Sequence, residues 1–274
     1  MISLGRVRPR ASSRSVAVGL MPPEISIIVP AYNEARRLPE TLDRLEQYIS
    51  ARGLRAEVIV VDDGSVDATA QLVRERAAGW PALYLLSAPT NRGKGAAVQL
   101  GMGAARGRFR IFSDADLSVP IDDLDKVLAP LREGAAVAIA SRGLTASDVQ
   151  RHQPWHRETM GRLFNLLVRF LVMDGIRDTQ CGFKAFTAQA AQRLFPPLQT
   201  LGFGFDVEVL YRARRAGYAI VEVPTRWVNS PLTTVRAGQG LRAFYDLLLI
   251  PRRVRKHSMP VTASEPAPDL VIAG

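Results

Sequence analysis

Asp114 and Asp116 stand one residue apart at the end of an apolar run, Ile111-Phe-Ser-Asp-Ala-Asp116. In an extended chain alternate residues point to one side, so both carboxylates meet the same space beyond the strand end. Oxygen-rich groups placed this way suit a hard divalent cation, Mg2+ or Mn2+, and such a cation could hold a diphosphate. A lone acid pair of this kind is more often a solvated turn or a helix cap. Here, however, two further apolar runs close in the same manner. Glu24-Ile-Ser-Ile-Ile-Val-Pro-Ala-Tyr-Asn-Glu34 stops at Pro30 and enters a polar loop, and Glu57-Val-Ile-Val-Val-Asp-Asp-Gly-Ser65 ends in Asp62, Asp63 and a glycine turn. Ligands of a parallel sheet bind outside the carboxyl ends of its strands, so this recurrence predicts a nucleotide cleft.

Other residues could serve the same cleft. In Asn91-Arg-Gly-Lys-Gly95 the glycines allow close backbone approach, the following helix start favours anions, and Lys94 adds a point charge. The spacing is neither that of an ATPase phosphate loop nor of a dinucleotide fingerprint. Arg142, directly after an apolar run, could fork onto a phosphate. His152 and His156 have helical spacing, but Pro154 lies between them and no neighbouring acid completes a zinc-protease pattern.

The elements that must position these groups alternate. Strands are predicted over 25–29, 57–61, 83–87, 109–113 and 136–140, with helices over 34–51, 67–78, 95–105 and 121–131 between them, each bounded by Gly, Pro, Asp or Ser. That rhythm implies right-handed crossovers and a mostly parallel sheet with helices on both faces. Beyond Ser141 it gives way to helices over 158–172, 188–195 and 206–216, a short strand over 220–223 and a closing amphipathic helix over 238–253. This second half is expected to build the acceptor side of the cleft.

Composition narrows the classes further. A chain of 274 residues can bury one substantial core, which fits a single domain over 24–257 between a basic, flexible arm at 1–23 and a disordered tail at 258–274. One cysteine, Cys181, excludes an internal disulfide framework and a cysteine zinc cluster, and suits a reducing, cytoplasmic location. The net charge of +10 suits phosphate groups, whether of a nucleotide, a nucleic acid or an anionic membrane face. No base-stacking aromatic stripe or recognition motif accompanies that charge, which leaves a nucleic-acid-binding role well behind. No apolar run approaches the ~20 residues of a membrane span. The closing helix sets Leu241, Phe244, Tyr245, Leu248 and Leu249 on one broad face and ends in Arg252, Arg253, Arg255 and Lys256. It reads either as an interfacial helix at anionic lipid or as a core-packing terminal helix.

Six ordered motifs carry a family resemblance: Pro30-Ala-Tyr-Asn-Glu34, Asp62-Asp-Gly-Ser65, Asn91-Arg-Gly-Lys-Gly95, Asp114-Ala-Asp116, Ser141-Arg142 and Asp178-Thr-Gln-Cys-Gly-Phe-Lys184. Over roughly residues 24–253 the chain resembles glycosyltransferase family 2, in its dolichyl-phosphate β-glucosyltransferase and polyprenyl-phosphate sugar transferase branch. The resemblance implies an α/β GT-A (nucleotide-diphospho-sugar transferase) fold, a nucleotide-sugar donor, a divalent cation and inversion at the anomeric carbon. It implies that Asp114 and Asp116 hold Mg2+ or Mn2+, with Pro30, Ala31, Tyr32, Glu34, Asp62, Asp63, Lys94 and Ala115 around the donor. It places Arg142, Gln180, Lys184 and Arg236 at the phosphate of a polyprenyl acceptor, and Asp178, Lys184 and Asp206 near the reacting centre. Asp206 is also read as a plain helix-start acid. The best match is transfer of glucose from UDP-glucose to polyprenyl or dolichyl phosphate at the cytoplasmic face of a membrane. A soluble acceptor is the alternative, since the terminal membrane anchors of many relatives are absent from this sequence.

Overall fold

The computed structural model describes residues 22–151, 155–228 and 237–256. The predicted arm up to residue 21, the predicted tail, His152 and Arg236 lie outside this set, as do the side chains of His156 and Leu241.

The strands and helices alternate as β1 (Ile25–Ala31), α1 (Leu38–Ala51), β2 (Ala56–Asp62), α2 (Thr69–Ala77), β3 (Leu83–Ser87), α3 (Lys94–Ala104), β4 (Phe109–Ser113), α4 (Leu124–Arg132) and β5 (Val137–Ser141). The second half adds β6 (Asp148–Arg151), α5 (Trp155–Leu171), β7 (Phe183–Thr187), α6 (Ala188–Leu194), α7 (Phe205–Arg215), β8 (Ile220–Pro224), β9 (Arg226–Val228) and α8 (Ala237–Lys256). Seven strands form one sheet in the order β3-β2-β1-β4-β7-β5-β8. All neighbours are parallel except β7, which runs antiparallel to both β4 and β5. The strand order reverses at β1, with β2 on one side and β4 on the other, and the crevice of a doubly wound sheet opens at such a switch point.

The sheet is buried on both faces, so its strands are apolar at successive positions instead of alternating with polar ones. Ile25, Ile27, Val29, Val58, Val60, Phe109 and Ile111 pack with α1 and α4 on one face. Ile28, Ile59, Val61, Phe112, Ile139 and Phe186 pack on the other with α3 and α5 to α8. Each such side chain contributes roughly 1.5–3 kcal/mol on leaving water. In α4, Leu124, Val127, Leu128 and Leu131 recur at helical spacing on the buried side.

The structure differs from the expected elements in three places. Helix α1 starts at Leu38 and not at residue 34, because Glu34 closes a turn whose carbonyl accepts from the amides of Arg37 and Leu38 at 2.9 Å. Pro39 then sits in the first turn, where no amide is needed. The segment at 121–131 divides into a single 3-10 turn, Ile121–Asp123, and α4. Strands β6, β7 and β9 were not anticipated, and β7 carries a lysine at a fully buried position.

Candidate active site

The site is assembled at the carboxyl end of the sheet from the loops after β1 to β5 and the loops ahead of β7 and α7. After β1, Asn33 adopts φ +55°, a left-handed conformation tolerated by asparagine. Its amide donates to Ser65 Oγ at 2.8 Å, and its side-chain oxygen accepts from the Val66 amide at 2.9 Å, so the β1 and β2 loops are stitched together. Tyr32 stands 40% exposed beside this seam. Asp62 folds its own turn by accepting from the Ser65 amide at 3.0 Å. Asp63 accepts from the amides of Arg92 (2.9 Å) and Gly93 (2.7 Å), bringing the β3–α3 loop to the cleft. Burial raises the Asp63 carboxyl above its ordinary value, and those two hydrogen bonds offset only part of the rise.

Gly93 (φ +105°) and Gly95 are dictated by contact with the loop ahead of α7. A Cβ would stand 2.6 Å from the Leu201 carbonyl oxygen at Gly93, and 2.7 Å from Phe205 Cβ at Gly95. Lys94, between them at the start of α3, reaches Asp114 Oδ1 at 2.6 Å. Burial works against the Lys94 charge, but Asp114 and Asp206 outweigh it and raise the ammonium above its usual range.

The Asp114-Ala-Asp116 turn is held on every side. Thr41 Oγ1 of α1 donates to the Ala115 carbonyl at 2.6 Å, and the Ser118 amide donates to Asp116 Oδ1 at 3.0 Å. A Cβ on Gly182 would lie 1.9 Å from Asp114 Oδ2, so only glycine leaves room for that carboxylate. Among the described residues no three His, Cys, Asp or Glu side chains gather as a metal cage. Two hard carboxylates on one turn still fit Mg2+ or Mn2+, with remaining ligands supplied by diphosphate and water, as is usual where such ions bind phosphates.

One residue here escaped the sequence reading. Arg37 Nε donates to Glu34 Oε2 at 2.6 Å, Arg37 Nη2 also pairs with Glu34 Oε1, and Arg37 Nη1 lies 3.6 Å from Asp116 Oδ2. The acid-to-arginine spacing of three in Glu34-Ala-Arg-Arg37 was its only signal. Glu34 itself is 6% exposed, and burial raises its carboxyl despite Arg37, with Asp116 and Asp114 adding to the rise.

On the far side of the cleft, Arg142 Nε and Nη2 grip Asp178 Oδ2 and Oδ1 at 2.6 and 2.9 Å, and the Arg142 amide adds a third bond at 3.0 Å. Burial opposes the Asp178 charge, but Arg142 with its hydrogen bonds, aided by Lys184, overcomes it and pulls the carboxyl down to about 2. Asp178 is therefore an orienting anion and a poor proton acceptor. Trp227 of β9 covers the Arg142 guanidinium at 5.4 Å from its ring centroid. Nearby, Ser141 Oγ and Gln180 Nε2 are buried with no hydrogen-bond partner among the described residues.

Lys184 lies beneath this surface, not on it. It is fully buried, donates to the Cys181 carbonyl and to Asp206 Oδ1 at 2.5 Å each, and sits 5.3 Å over the Phe112 ring. A group so placed braces Asp206 and the Cys181 turn and cannot meet a phosphate without leaving the core. Asp206 is raised by burial, against the pull of Lys184 and Lys94. Cys181 is sealed, its thiol pushed up to about 12 by burial and by Asp178. The ion pairs Glu34–Arg37–Asp116 and Lys94–Asp114 thus make up a first group, and the charge of Asp206, paired with Lys184, also acts on Lys94. Arg142, Asp178 and Gln180 form a second group, joined to the first where the Asp114 amide donates to the Gly182 carbonyl at 3.2 Å.

This architecture is the GT-A fold. A mannosyltransferase from Pyrobaculum calidifontis, solved with GDP-mannose and Mn2+, superposes with TM-score 0.58 at 23% identity, over 87% of this chain and 66% of its own. Glucosyl-3-phosphoglycerate synthase from Mycobacterium tuberculosis, solved with Mn2+, UDP and phosphoglyceric acid, gives TM-score 0.60 at 19% identity, over 90% and 81% of the two chains. Residues 26–195 match the family model "Glycosyl transferase family 2". A dolichyl-phosphate beta-glucosyltransferase of Drosophila melanogaster is 39% identical over 75% of this chain and 67% of its own, and the human protein of that name is 36% identical over 75% and 68%. The chain belongs to glycosyltransferase family 2.

Proposed function

We propose that this glycosyltransferase moves a hexose, glucose from UDP-glucose, onto a polyprenyl or dolichyl phosphate with inversion, assisted by Mg2+ or Mn2+. The carrying observation is the Asp114–Asp116 turn facing Lys94 at the start of α3, at the switch point of the sheet. The names of the relatives support the acceptor and the sugar, and the nucleotide complexes of the structural neighbours support the donor type and the metal.

The chemistry follows from charge. A bond forms between an acceptor phosphate oxygen and the anomeric carbon on one face, while the bond to the diphosphate breaks on the other. Bound metal would neutralise the departing diphosphate. Lys94 adds a preorganised cation at the same place, where charge develops as the bond breaks. A phosphate monoester has a second pKa of about 6 and is already ionised near neutrality, so no strong base is needed. An Asp178 held at about 2 fits that scheme, because its task is to fix Arg142.

Two helices support a lipid-facing role. Along α5, Met160, Leu163, Leu166 and Phe170 are exposed, Phe170 at 80%. α8 buries Ala243, Leu247, Ile250 and Val254, which makes its inner face a core-packing one, and exposes Tyr245 and Leu248 ahead of Arg252, Arg255 and Lys256. The helices join through an edge-on contact of Phe164 and Phe244 at 5.1 Å. Asn165 of α5 accepts from Thr179 Oγ1 at 3.1 Å, beside Asp178, which ties the apolar surface to the acceptor loop. Apolar side chains rimmed by cations suit an anionic bilayer surface. No helix of the described residues is long and apolar enough to cross a membrane.

Transfer of radiolabel from a panel of nucleotide sugars to polyprenyl phosphate in detergent, with Mg2+, Mn2+ or chelator, tests the proposal. Metal-dependent label in the organic extract is expected, strongest from UDP-glucose. Donor binding with all label left in the aqueous phase would remove the lipid acceptor and turn the search to soluble phosphates.

A further inference from the structure

The two carboxylates at the proposed metal site each have a protein cation of their own. Lys94 Nζ stands 2.6 Å from Asp114 Oδ1, and Arg37 Nη1 stands 3.6 Å from Asp116 Oδ2. Neither cation is a loose surface group: the Lys94 side chain is 16% exposed and that of Arg37 is 14% exposed. Arg37 is tethered through Glu34, and Lys94 is fixed at the head of α3 by the glycines on either side. Three neighbouring groups of ion pairs, Glu34–Arg37–Asp116, Lys94–Asp114 and Lys184–Asp206, contain four carboxylates and three cations, so their summed formal charge is one negative unit.

A bare dication added to this cluster reverses its sign. The same ion accompanied by the two negative charges of a nucleotide-sugar diphosphate leaves the sign unchanged. Repulsion between a dication and a fixed cation a few ångströms away opposes binding of the lone metal in a partly buried site. That repulsion turns into attraction once Lys94 and Arg37 face phosphate oxygens. We propose that Arg37 and Lys94 act as electrostatic placeholders on Asp116 and Asp114, so that the metal binds together with the donor diphosphate and not ahead of it. Arg37 is then a positioning residue with two tasks. It discourages lone metal at Asp116, and it keeps Glu34 of the β1 loop turned into the site.

The inference rests on Asp114 and Asp116 being the metal ligands, and it makes a prediction opposite in sign to that of a structural role. Wild type, Arg37→Met and Lys94→Met are titrated with Mn2+ alone, following free Mn2+ by electron paramagnetic resonance, and separately with UDP at fixed Mn2+ by calorimetry. Each substitution is expected to tighten lone Mn2+ binding about tenfold while weakening UDP binding about tenfold, as removal of one nearby unit charge requires. The Mn2+ effect should shrink as salt is raised. Circular dichroism and melting temperature serve as the folding control, and Arg37→Lys, which keeps the charge, should restore weak lone-metal binding. Lone Mn2+ binding that is unchanged or weaker in folded Arg37→Met and Lys94→Met overturns the placeholder role. Asp116→Asn separates the two levels: if it still binds Mn2+ with UDP as wild type does, the metal-ligand reading fails instead.

Discussion

The two ends of the sheet carry similar residues in opposite condition. At the amino end of β1 and β2, Ser26 Oγ donates to Glu57 Oε1 at 2.6 Å, the Arg106 amide and Nε donate to the same carboxylate at 2.7 and 2.8 Å, and the Gly107 amide donates to Ser26 Oγ at 2.8 Å. Every contact there is short and made within the protein, so the cluster is a closed joint between strands. At the carboxyl end, Ser141 Oγ and Gln180 Nε2 are buried with no partner among the described residues. Buried polar groups are normally satisfied, so these two atoms are places where water or an outside molecule would complete the set. The lesson is that a carboxylate beside an arginine means little until its remaining bonds are counted.

The sharpest way to separate the two ends is by what each loses. Asp116→Ala should lower transfer by about a hundred- to a thousandfold, the scale for removing a main electrostatic stabiliser, with the melting temperature little changed. Initial rates alongside thermal unfolding check this; activity near wild type would make the carboxyl end as purely structural as the other. Glu57→Ala should do the reverse. It removes the acceptor shared by Ser26 and Arg106, costing about 2–3 kcal/mol in urea unfolding because half-exposed Arg106 can return to water, with kcat/KM per folded molecule intact.

Asp178→Asn should give the smallest effect and a distinctive pH signature. The folded Asp178 carboxyl lies below its unfolded value of 3.8, so its stabilisation is complete above that pH and is lost as pH falls toward about 2. The asparagine variant should lose about 2 kcal/mol at neutral pH and show a flatter acid limb between pH ~4 and ~2. An unchanged limb would mean that the Arg142 pair contributes nothing to folding.

Much of the first half of the chain was legible in the sequence, for a physical reason. Strands β1, β2 and β4 are mostly apolar runs that give way within a residue or two to Asn33, Asp62-Asp63 and Asp114, and that boundary marks both the strand end and the loop beyond it. The second half was harder. β7 is five residues long and reverses the direction of the sheet, and Lys184 at its second position argues against a buried strand unless Asp206, 22 positions later, is known to lie opposite. β6 and β9 are four and three residues long, too short for any alternation to register. Arg37 was hidden because its partner Asp116 is 79 positions away, and only the fold shows that one guanidinium spans two loops.

The sealed state of Cys181 has a practical side. With this one cysteine in the whole chain, buried and carrying a thiol near 12, ordinary maleimide or spin-label chemistry at neutral pH should pass it by. The protein is thus a ready host for single-site labels. Val66→Cys, at a position 88% exposed on the β2 loop that borders the cleft, would place a reporter where arrival of a nucleotide could be followed directly by fluorescence or electron spin resonance.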